Sequence, residues 1–367
     1  MSSSRTPTYI LIGLLAFAAF GLLTGLYAGL LRLGIFHHLS TQSISPLSHG
    51  PLMINGFLGT LIGLERAAAL EKKWAYVAPI LMAASTIFGL IGHAETAQWL
   101  MVMGALGLAG VMTYLYFLQP KVYHLIMALG ALSLLTGNLL YLWGWHIYEL
   151  VGWWAAFPML TIFGERLELN RIMRPPKRAQ HFFTALNILW IASLVLVHFT
   201  RPLGWRISSV LLIAIALWLF KYDIAKRTIK SVEWTRYSAI SLLSGYSWLI
   251  ITGLFGLWQG FLTAGPFYDG LLHMIFVGFI FSMIFAHASV IIPSLSGRLV
   301  PYHNYFYFPL ILLHAFLALR IIGDFAMLPS LRKIGSYGNV LAIILFLGGV
   351  VFQLFIKTKK PFPNRNH

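Results

Sequence analysis

The feature that most constrains this chain is a series of long apolar segments separated by short polar ones. A helix rises about 1.5 Å per residue, so about 20 apolar residues cross the roughly 30 Å hydrocarbon layer of a bilayer. Twelve segments approach or exceed that length, namely 8–35, 50–68, 74–93, 97–118, 122–144, 147–164, 181–199, 205–222, 237–258, 267–292, 304–324 and 338–357. The sequence therefore predicts an all-α integral membrane protein of about twelve transmembrane helices, with residues 1–367 as one polytopic domain.

The composition excludes several classes of protein. Only 10% of the residues are charged, whereas about 25% are charged in a typical soluble domain. This excludes a soluble enzyme, a disordered chain and a nucleic-acid-binding module, in spite of the net charge of +16. The chain has no cysteine, which excludes thiolate metal sites, iron–sulfur clusters and cysteine nucleophiles. We therefore expect the lipid bilayer, and not nucleic acid, as its main partner.

The basic residues predict the orientation of the helices. With the N-terminus inside, six of the 26 Lys and Arg residues fall on the outer side, which leaves 20 on the inner side. The six are Arg32, Arg201, Arg206, Arg320, Arg332 and Lys333. Cytoplasmic loops carry the excess of positive charge. We expect both termini in the cytoplasm and the protein in the plasma (inner) membrane of a prokaryote.

The 13 histidines are the most informative residues. On the predicted topology seven of them lie at or near the outer surface: His37, His38, His49, His93, His146, His198 and His273. Neutral imidazole is a good ligand for haem iron and for copper, and ionisable residues at membrane depth are functional candidates. The alternative is that these histidines are amphipathic residues at the level of the lipid headgroups.

Glycines follow His49 along the second helix. Gly56, Gly59 and Gly63 lie on the helix face that carries His49. A strip without side chains beneath a histidine suits a flat porphyrin, and it equally suits close packing against another helix. The sequence leaves both interpretations open.

Two further features lie deeper in the predicted membrane. His273 and His287 share a helix face but are about 21 Å apart along the axis, so they do not bind the same metal. His287 overlaps in depth with His314, which predicts either a second site or two separately hydrogen-bonded histidines. Arg320 and Asp324 are four residues apart, so they either neutralise each other or leave Arg320 to bind the carboxylates of a haem.

At these residues the chain resembles known haem proteins. The run His49-Gly50-Pro51-Leu52-Met53-Ile54, with a later Gly-Phe, resembles the low-spin haem-ligand helix of heme-copper oxidase catalytic subunits. The stretch from His273 through Val277-Gly278 and Ala288-Ser289 to Ser296-Gly297-Arg298-Leu299 is more closely similar to the NnrS family. The segment from Gly164-Glu165-Arg166 to Asn170-Arg171-Ile172 is loosely similar to the Arg-Val-Ile-Pro region of that family.

The resemblance implies a bundle like subunit I of the heme-copper oxidases that binds haem b, with copper as a second metal, and that acts in nitric oxide metabolism or response. His49 and His273 carry over as haem ligands, and His37, His38, His93 and His146 form the candidate copper site. Gly56, Gly59, His287, His314 and Arg320 are further candidate cofactor-binding residues.

The sequence departs from the oxidase pattern in its seventh helix, which has no adjacent pair of histidines. Three functions therefore stay open. The first is a protein that binds haem and a gas such as NO or O2. The second is an oxidoreductase that reduces one of these gases with electrons from a quinol or a cytochrome. The third is a transporter whose histidines pack or relay protons.

Overall fold

The computed structural model describes residues 7–34 and 45–355, and these residues form an all-helical bundle. The first six long helices are α1 (Thr8–Arg32), α2 (49–70), α3 (Val77–Leu90), α4 (Ala94–Leu118), α5 (Val122–Leu142) and α6 (Ile147–Leu169). The other six are α7 (Lys177–Phe199), α8 (Arg201–Tyr222), α9 (Glu233–Gln259), α10 (Gly265–Ser296), α11 (Tyr307–Phe325) and α12 (Pro329–Phe355). A helical turn, Ala225–Thr228, joins α8 to α9.

The helices are those of a multi-pass membrane protein, as the sequence predicts. In the described residues, 11 helices are long and apolar enough to cross a bilayer. Helix α2 lies where the sequence predicts the remaining span and is built from three consecutive segments: His49–Pro51, Leu52–Gly59 and Thr60–Leu70. The prediction of an all-α membrane bundle is confirmed.

The largest difference from the predicted bounds is at α12, which begins at Pro329 and not near residue 338. The extra turns contain Arg332 and Lys333, whose charges made this stretch resemble a loop. In the structure Arg332 lies 3.7 Å from the fully buried carboxylate of Asp324 on α11. The ion pair lets the charged turn pack against the bundle.

Helices that follow one another in the chain pack closely through small residues. The Cβ of any side chain at Gly338 of α12 would overlap the ring of Phe316 on α11. A Cβ at Gly335, one turn earlier, would lie 2.5 Å from the backbone nitrogen of Arg320. Glycine therefore allows the two backbones to approach, as is common between membrane helices.

A buried polar network joins α2, α5 and α6. The amide groups of Asn55 and Asn138 donate to each other, with N–O distances of 3.2 and 2.7 Å. The indole nitrogen of Trp154 donates to the same Asn138 oxygen at 2.9 Å. Interhelical hydrogen bonds of this kind hold helices together where lipid offers no partner, and here they fix α6 beside the amino-terminal half of α2.

Two helices contain wide π-helical segments in corresponding positions. In α2 the segment Leu52–Gly59 begins three residues after His49, and in α10 the segment Met274–Phe281 begins directly after His273. Such segments are rare and are frequent at functional sites. Their location beside both histidines points to this end of the bundle.

Candidate functional site

The structure brings together the two histidines that the sequence singles out on α2 and α10. The ring centres of His49 and His273 are 6.3 Å apart, and the ring planes are 13° from parallel. Nδ1 of His49 lies 2.7 Å from the carbonyl oxygen of Gly25, and Nδ1 of His273 lies 2.7 Å from that of Asp269. Because a carbonyl only accepts, each Nδ1 carries the hydrogen, and each neutral ring keeps its lone pair on Nε2.

The distance between the two ring centres would allow both imidazoles to bind one iron. A metal–imidazole bond is about 2.0 Å long, and the bound nitrogen lies about 1.1 Å from its ring centre, so two rings on opposite sides of one metal have centres about 6 Å apart. The observed spacing of 6.3 Å agrees with this value. A hydrogen bond from the other ring nitrogen to a carbonyl is usual for a histidine that binds metal.

The cavity beside the two rings has an apolar wall and a polar end. Helices α1, α2, α6, α10 and α12 supply the apolar wall, which includes Leu30, Met53, Trp154, Phe276 and Ile343. The polar lining groups are Arg32, Tyr268, Asp269, Arg320, Ser336 and Asn339. They lie where α1 and α11 end and where α10 and α12 begin. The cavity therefore combines an apolar wall with a charged and polar end beside the two histidines.

Arg320 forms its ion pair with a different partner from the one that the sequence offered. Its Nε and Nη2 donate to Oδ2 of Asp269 at 3.0 and 2.8 Å. The other oxygen, Oδ1, lies 3.5 Å from Nδ1 of His273. Asp324 instead pairs with Arg332. Of the two interpretations that the sequence left open, neutralisation of Arg320 by Asp324 is not what the structure shows, because Asp269 reaches Arg320 from the neighbouring helix.

The glycine strip of α2 lies at a helix contact and not at the cavity. A Cβ at Gly56 would overlap the hydroxyl of Thr86 on α3 and lie 3.6 Å from Cα of Gly21 on α1. A Cβ at Gly59 would lie 2.6 Å from the sulfur of Met82 on α3. Neither glycine lines the cavity. The glycine strip therefore serves helix packing. The alternative expectation, that it forms a surface for a porphyrin, does not agree with the structure.

Sequence reasoning missed the contribution of α1. Gly25 supplies the carbonyl that holds His49, and a Cβ at Gly29 would lie 2.9 Å from both Cε1 and Nδ1 of the His49 ring. The only sequence signal is a Gly-xxx-Gly spacing in an apolar helix, which ordinary helix packing also produces.

His287 and His314 have separate partners. Nε2 of His287 lies 2.6 Å from Nη2 of Arg166, and its Nδ1 lies 2.6 Å from the carbonyl oxygen of Met283. Nδ1 of His314 accepts a hydrogen bond from the indole of Trp248 at 3.0 Å. The structure therefore agrees with two separately hydrogen-bonded histidines and not with a shared second site.

The candidate copper ligands fall partly outside the described residues. His37 and His38 lie in the segment 35–44, which the structure does not describe. His93 and His146 are exposed at the starts of α4 and α6, where the rings of Phe88 and Tyr148 lie beside them. Within residues 7–34 and 45–355 no three His, Cys, Asp or Glu side chains converge as metal ligands. The copper site stays a prediction.

The fold and the cavity define an all-helical membrane protein with paired histidines in its interior. The chain belongs to the family described as domain of unknown function DUF8744, whose model matches residues 11–354. No curated protein and no solved structure matches the chain.

Proposed function

We propose that the protein binds one haem b between α2 and α10, with His49 and His273 as the axial ligands, and that it transfers single electrons within the membrane. The observation that carries this proposal is the 6.3 Å spacing of two imidazoles whose Nδ1 atoms are both hydrogen-bonded to carbonyl oxygens. Haem iron supplies a one-electron couple when it is bound in this way. The resemblance to haem-ligand helices at the same two histidines agrees with this proposal.

The residues around the two rings have distinct roles. The carbonyls of Gly25 and Asp269 fix the tautomer of each imidazole and orient it. Arg32 and Arg320 are the cations at the polar end of the cavity, where they would bind the two haem carboxylates. Arg320 is pre-oriented by Asp269. The apolar wall would exclude water from the macrocycle.

Two histidine ligands favour electron transfer over gas chemistry. His49 and His273 would together leave no position on the iron for a gas such as NO or O2. Gas reduction also uses a second metal in the heme-copper pattern, and the histidines proposed for copper, His37, His38, His93 and His146, stay a prediction. The link to nitric oxide that the NnrS resemblance implies would therefore need either His49 or His273 to be free of the iron, and the electron donor would be a quinol or a cytochrome.

The distribution of basic residues predicts the orientation of the protein in the membrane. We propose that the protein lies in the plasma membrane of a prokaryote with both termini in the cytoplasm. In this orientation 20 of its 26 basic residues fall on the inner side. The bundle would be of the kind found in subunit I of the heme-copper oxidases. His49 and His273 would then lie near the outer surface.

The test is a spectrum of the purified protein. We expect protein made with a haem supply, in mild detergent, to contain about one haem b per chain and to give sharp reduced-minus-oxidised bands. The oxidised protein should give a low-spin, rhombic signal in electron paramagnetic resonance. Two nearly parallel imidazole planes act on the iron d orbitals more strongly in one direction than in the perpendicular one, so these orbitals differ in energy. A colourless protein despite the haem supply would contradict the proposal and favour the transporter interpretation. Quantified copper tests the second metal.

A methyl group at Gly29 tests the contact between α1 and His49. In Gly29→Ala the new Cβ would lie 2.9 Å from the imidazole and must displace it from the Gly25 carbonyl. We expect haem affinity to fall by about tenfold or more, the usual effect of losing an outer partner of a metal ligand. The matched control is Gly13→Ala on the same helix, where nothing lies within 4 Å of the new Cβ. Equal haem affinity in both variants would contradict the assigned role of Gly29.

A further inference from the structure

A cluster of charged residues lies at the carboxyl-terminal ends of α2 and α6, away from the cavity with His49 and His273. Helices α2 and α6 contribute a Glu-Arg pair each, Glu65-Arg66 and Glu165-Arg166. Nη2 of Arg66 binds Glu165 across the two helices and lies 3.4 Å from Glu65. Two short motifs that are 100 residues apart in the numbering, from position 65 to position 165, therefore form one ionic contact.

Arg166 forms a hydrogen bond with His287 of α10. Its Nη2 donates to Nε2 of His287 at 2.6 Å, because an arginine always keeps its protons. Nδ1 of the same imidazole then carries the hydrogen and donates to the carbonyl of Met283 at 2.6 Å. His287 is therefore a neutral acceptor in this arrangement, and it adds no positive charge to the cluster.

Next to this pair lies the most buried carboxyl group of the cluster. Asp223, between α8 and the turn Ala225–Thr228, is only 1% exposed, and Tyr246 of α9 is fully buried. Oδ1 of Asp223 accepts a hydrogen bond from the backbone nitrogen of Ala225 at 2.7 Å. Oδ2 of Asp223 and the hydroxyl of Tyr246 are both buried without a hydrogen bond of ordinary geometry, and the two side chains are close enough to interact. Burial raises the pKa of Asp223, since desolvation of the carboxylate outweighs the opposing effects of Arg166, Ala225 and Tyr246.

Asp223 has no ion pair of its own among the described residues. Arg166 is the cation that acts on it, and Nη2 of Arg166 is bonded to His287. Arg66 pairs with Glu65 and Glu165, and Arg171 pairs with Glu168 at 3.1 Å on the exposed edge. A buried carboxylate without an ion pair is costly, and one bound proton removes its charge.

We propose that Asp223 and Tyr246 form a proton-binding site at this end of the bundle, with the proton held on Oδ2 of Asp223 and donated in a hydrogen bond to the Tyr246 oxygen. The proton comes from water on that face and returns to it when Asp223 ionises, so the step needs no further reactant. Arg166 is the cation that acts on this carboxyl, but its Nη2 is bonded to His287 and it forms no ion pair with Asp223 among the described residues. The site gives the protein a group that takes up or releases one proton far from the two cavity histidines.

The test is infrared spectroscopy of the purified full-length protein at neutral pH. We expect a carbonyl band of a protonated carboxyl group that disappears in Asp223→Asn. Asparagine keeps the acceptor for Ala225 and is neutral like the protonated acid, so the variant should fold with unchanged thermal stability. In Tyr246→Phe the band should remain but move to higher frequency, because the carboxyl loses its hydrogen-bond partner. Glu168→Gln, which alters an exposed carboxylate, is the control and should leave the band unchanged.

Three results would overturn this proposal. The first is a wild-type spectrum from which Asp223→Asn removes no band of a protonated carboxyl group. The second is loss of that band in Glu65→Gln and not in Asp223→Asn, which would assign the proton to α2. The third is a large loss of thermal stability in Asp223→Asn alone, which would mean that an ionised Asp223 balances Arg166. None of these measurements depends on haem, so their outcome is independent of the proposed function.

Discussion

If the protein binds haem as proposed, replacement of His49 or His273 by alanine should convert the low-spin haem spectrum to a high-spin one and lower haem affinity by about 100-fold or more. Each variant removes one of two imidazoles whose rings are 6.3 Å apart. The double variant should contain no haem, because no axial ligand remains. The measurement is the visible spectrum and the haem content per chain after purification.

A matched control separates loss of a ligand from loss of the fold. His314→Ala on α11 removes a partly buried histidine that is bonded to Trp248 and does not line the cavity, so the low-spin spectrum should persist. Free imidazole added to His49→Ala should restore the low-spin spectrum, since it refills the space left by the side chain. An unchanged low-spin spectrum in both single variants would show that other residues bind the iron.

The second large effect is expected at the contact between α11 and α12. Gly338→Ala should lower the free energy of unfolding by at least about 1–3 kcal/mol, the usual cost of an overpacked interior, because its Cβ would overlap the ring of Phe316. Helix propensity alone would favour alanine by about 1 kcal/mol. The measurement is thermal unfolding in detergent, followed by tryptophan fluorescence.

The same helix provides the control for this substitution. Gly348→Ala, also on α12, meets nothing within 4 Å, so it should be neutral or slightly stabilising. If haem binds in the cavity as proposed, its affinity should also fall in Gly338→Ala, since Arg320 on α11 and Asn339 on α12 both line the cavity. Equal stability of the two variants would mean that α11 and α12 separate at little cost.

The two histidines illustrate how far sequence reasoning reached at the site. Their depth in the membrane and their resemblance to haem-ligand helices selected His49 and His273, because a histidine near the end of a long apolar helix is visible in one dimension. Their hydrogen-bond acceptors were not visible. The carbonyls of Gly25 and Asp269 are backbone groups, and backbone groups have no sequence signature.

Arg320 and the glycine strip illustrate where local spacing misled. An Arg and an Asp four residues apart suggested an ion pair within α11, yet Asp269 of α10 is the partner. The glycines of α2 shared a face with His49, yet this part of the face packs against α1 and α3 and not against the cavity. Spacing along one helix defines a face, but it does not say which neighbour lies against that face.

The sequence by itself determined that this protein is a helical membrane bundle and where its long helices lie. That information is local, because an apolar segment of sufficient length has few alternatives in lipid, where every backbone group must bond within its own helix. Only the tertiary structure decided which helices meet, that His49 lies beside His273, and that the two Glu-Arg pairs join in one cluster. These contacts depend on small residues and on hydrogen bonds between helices, because lipid supplies no hydrophobic drive for one apolar face to prefer another.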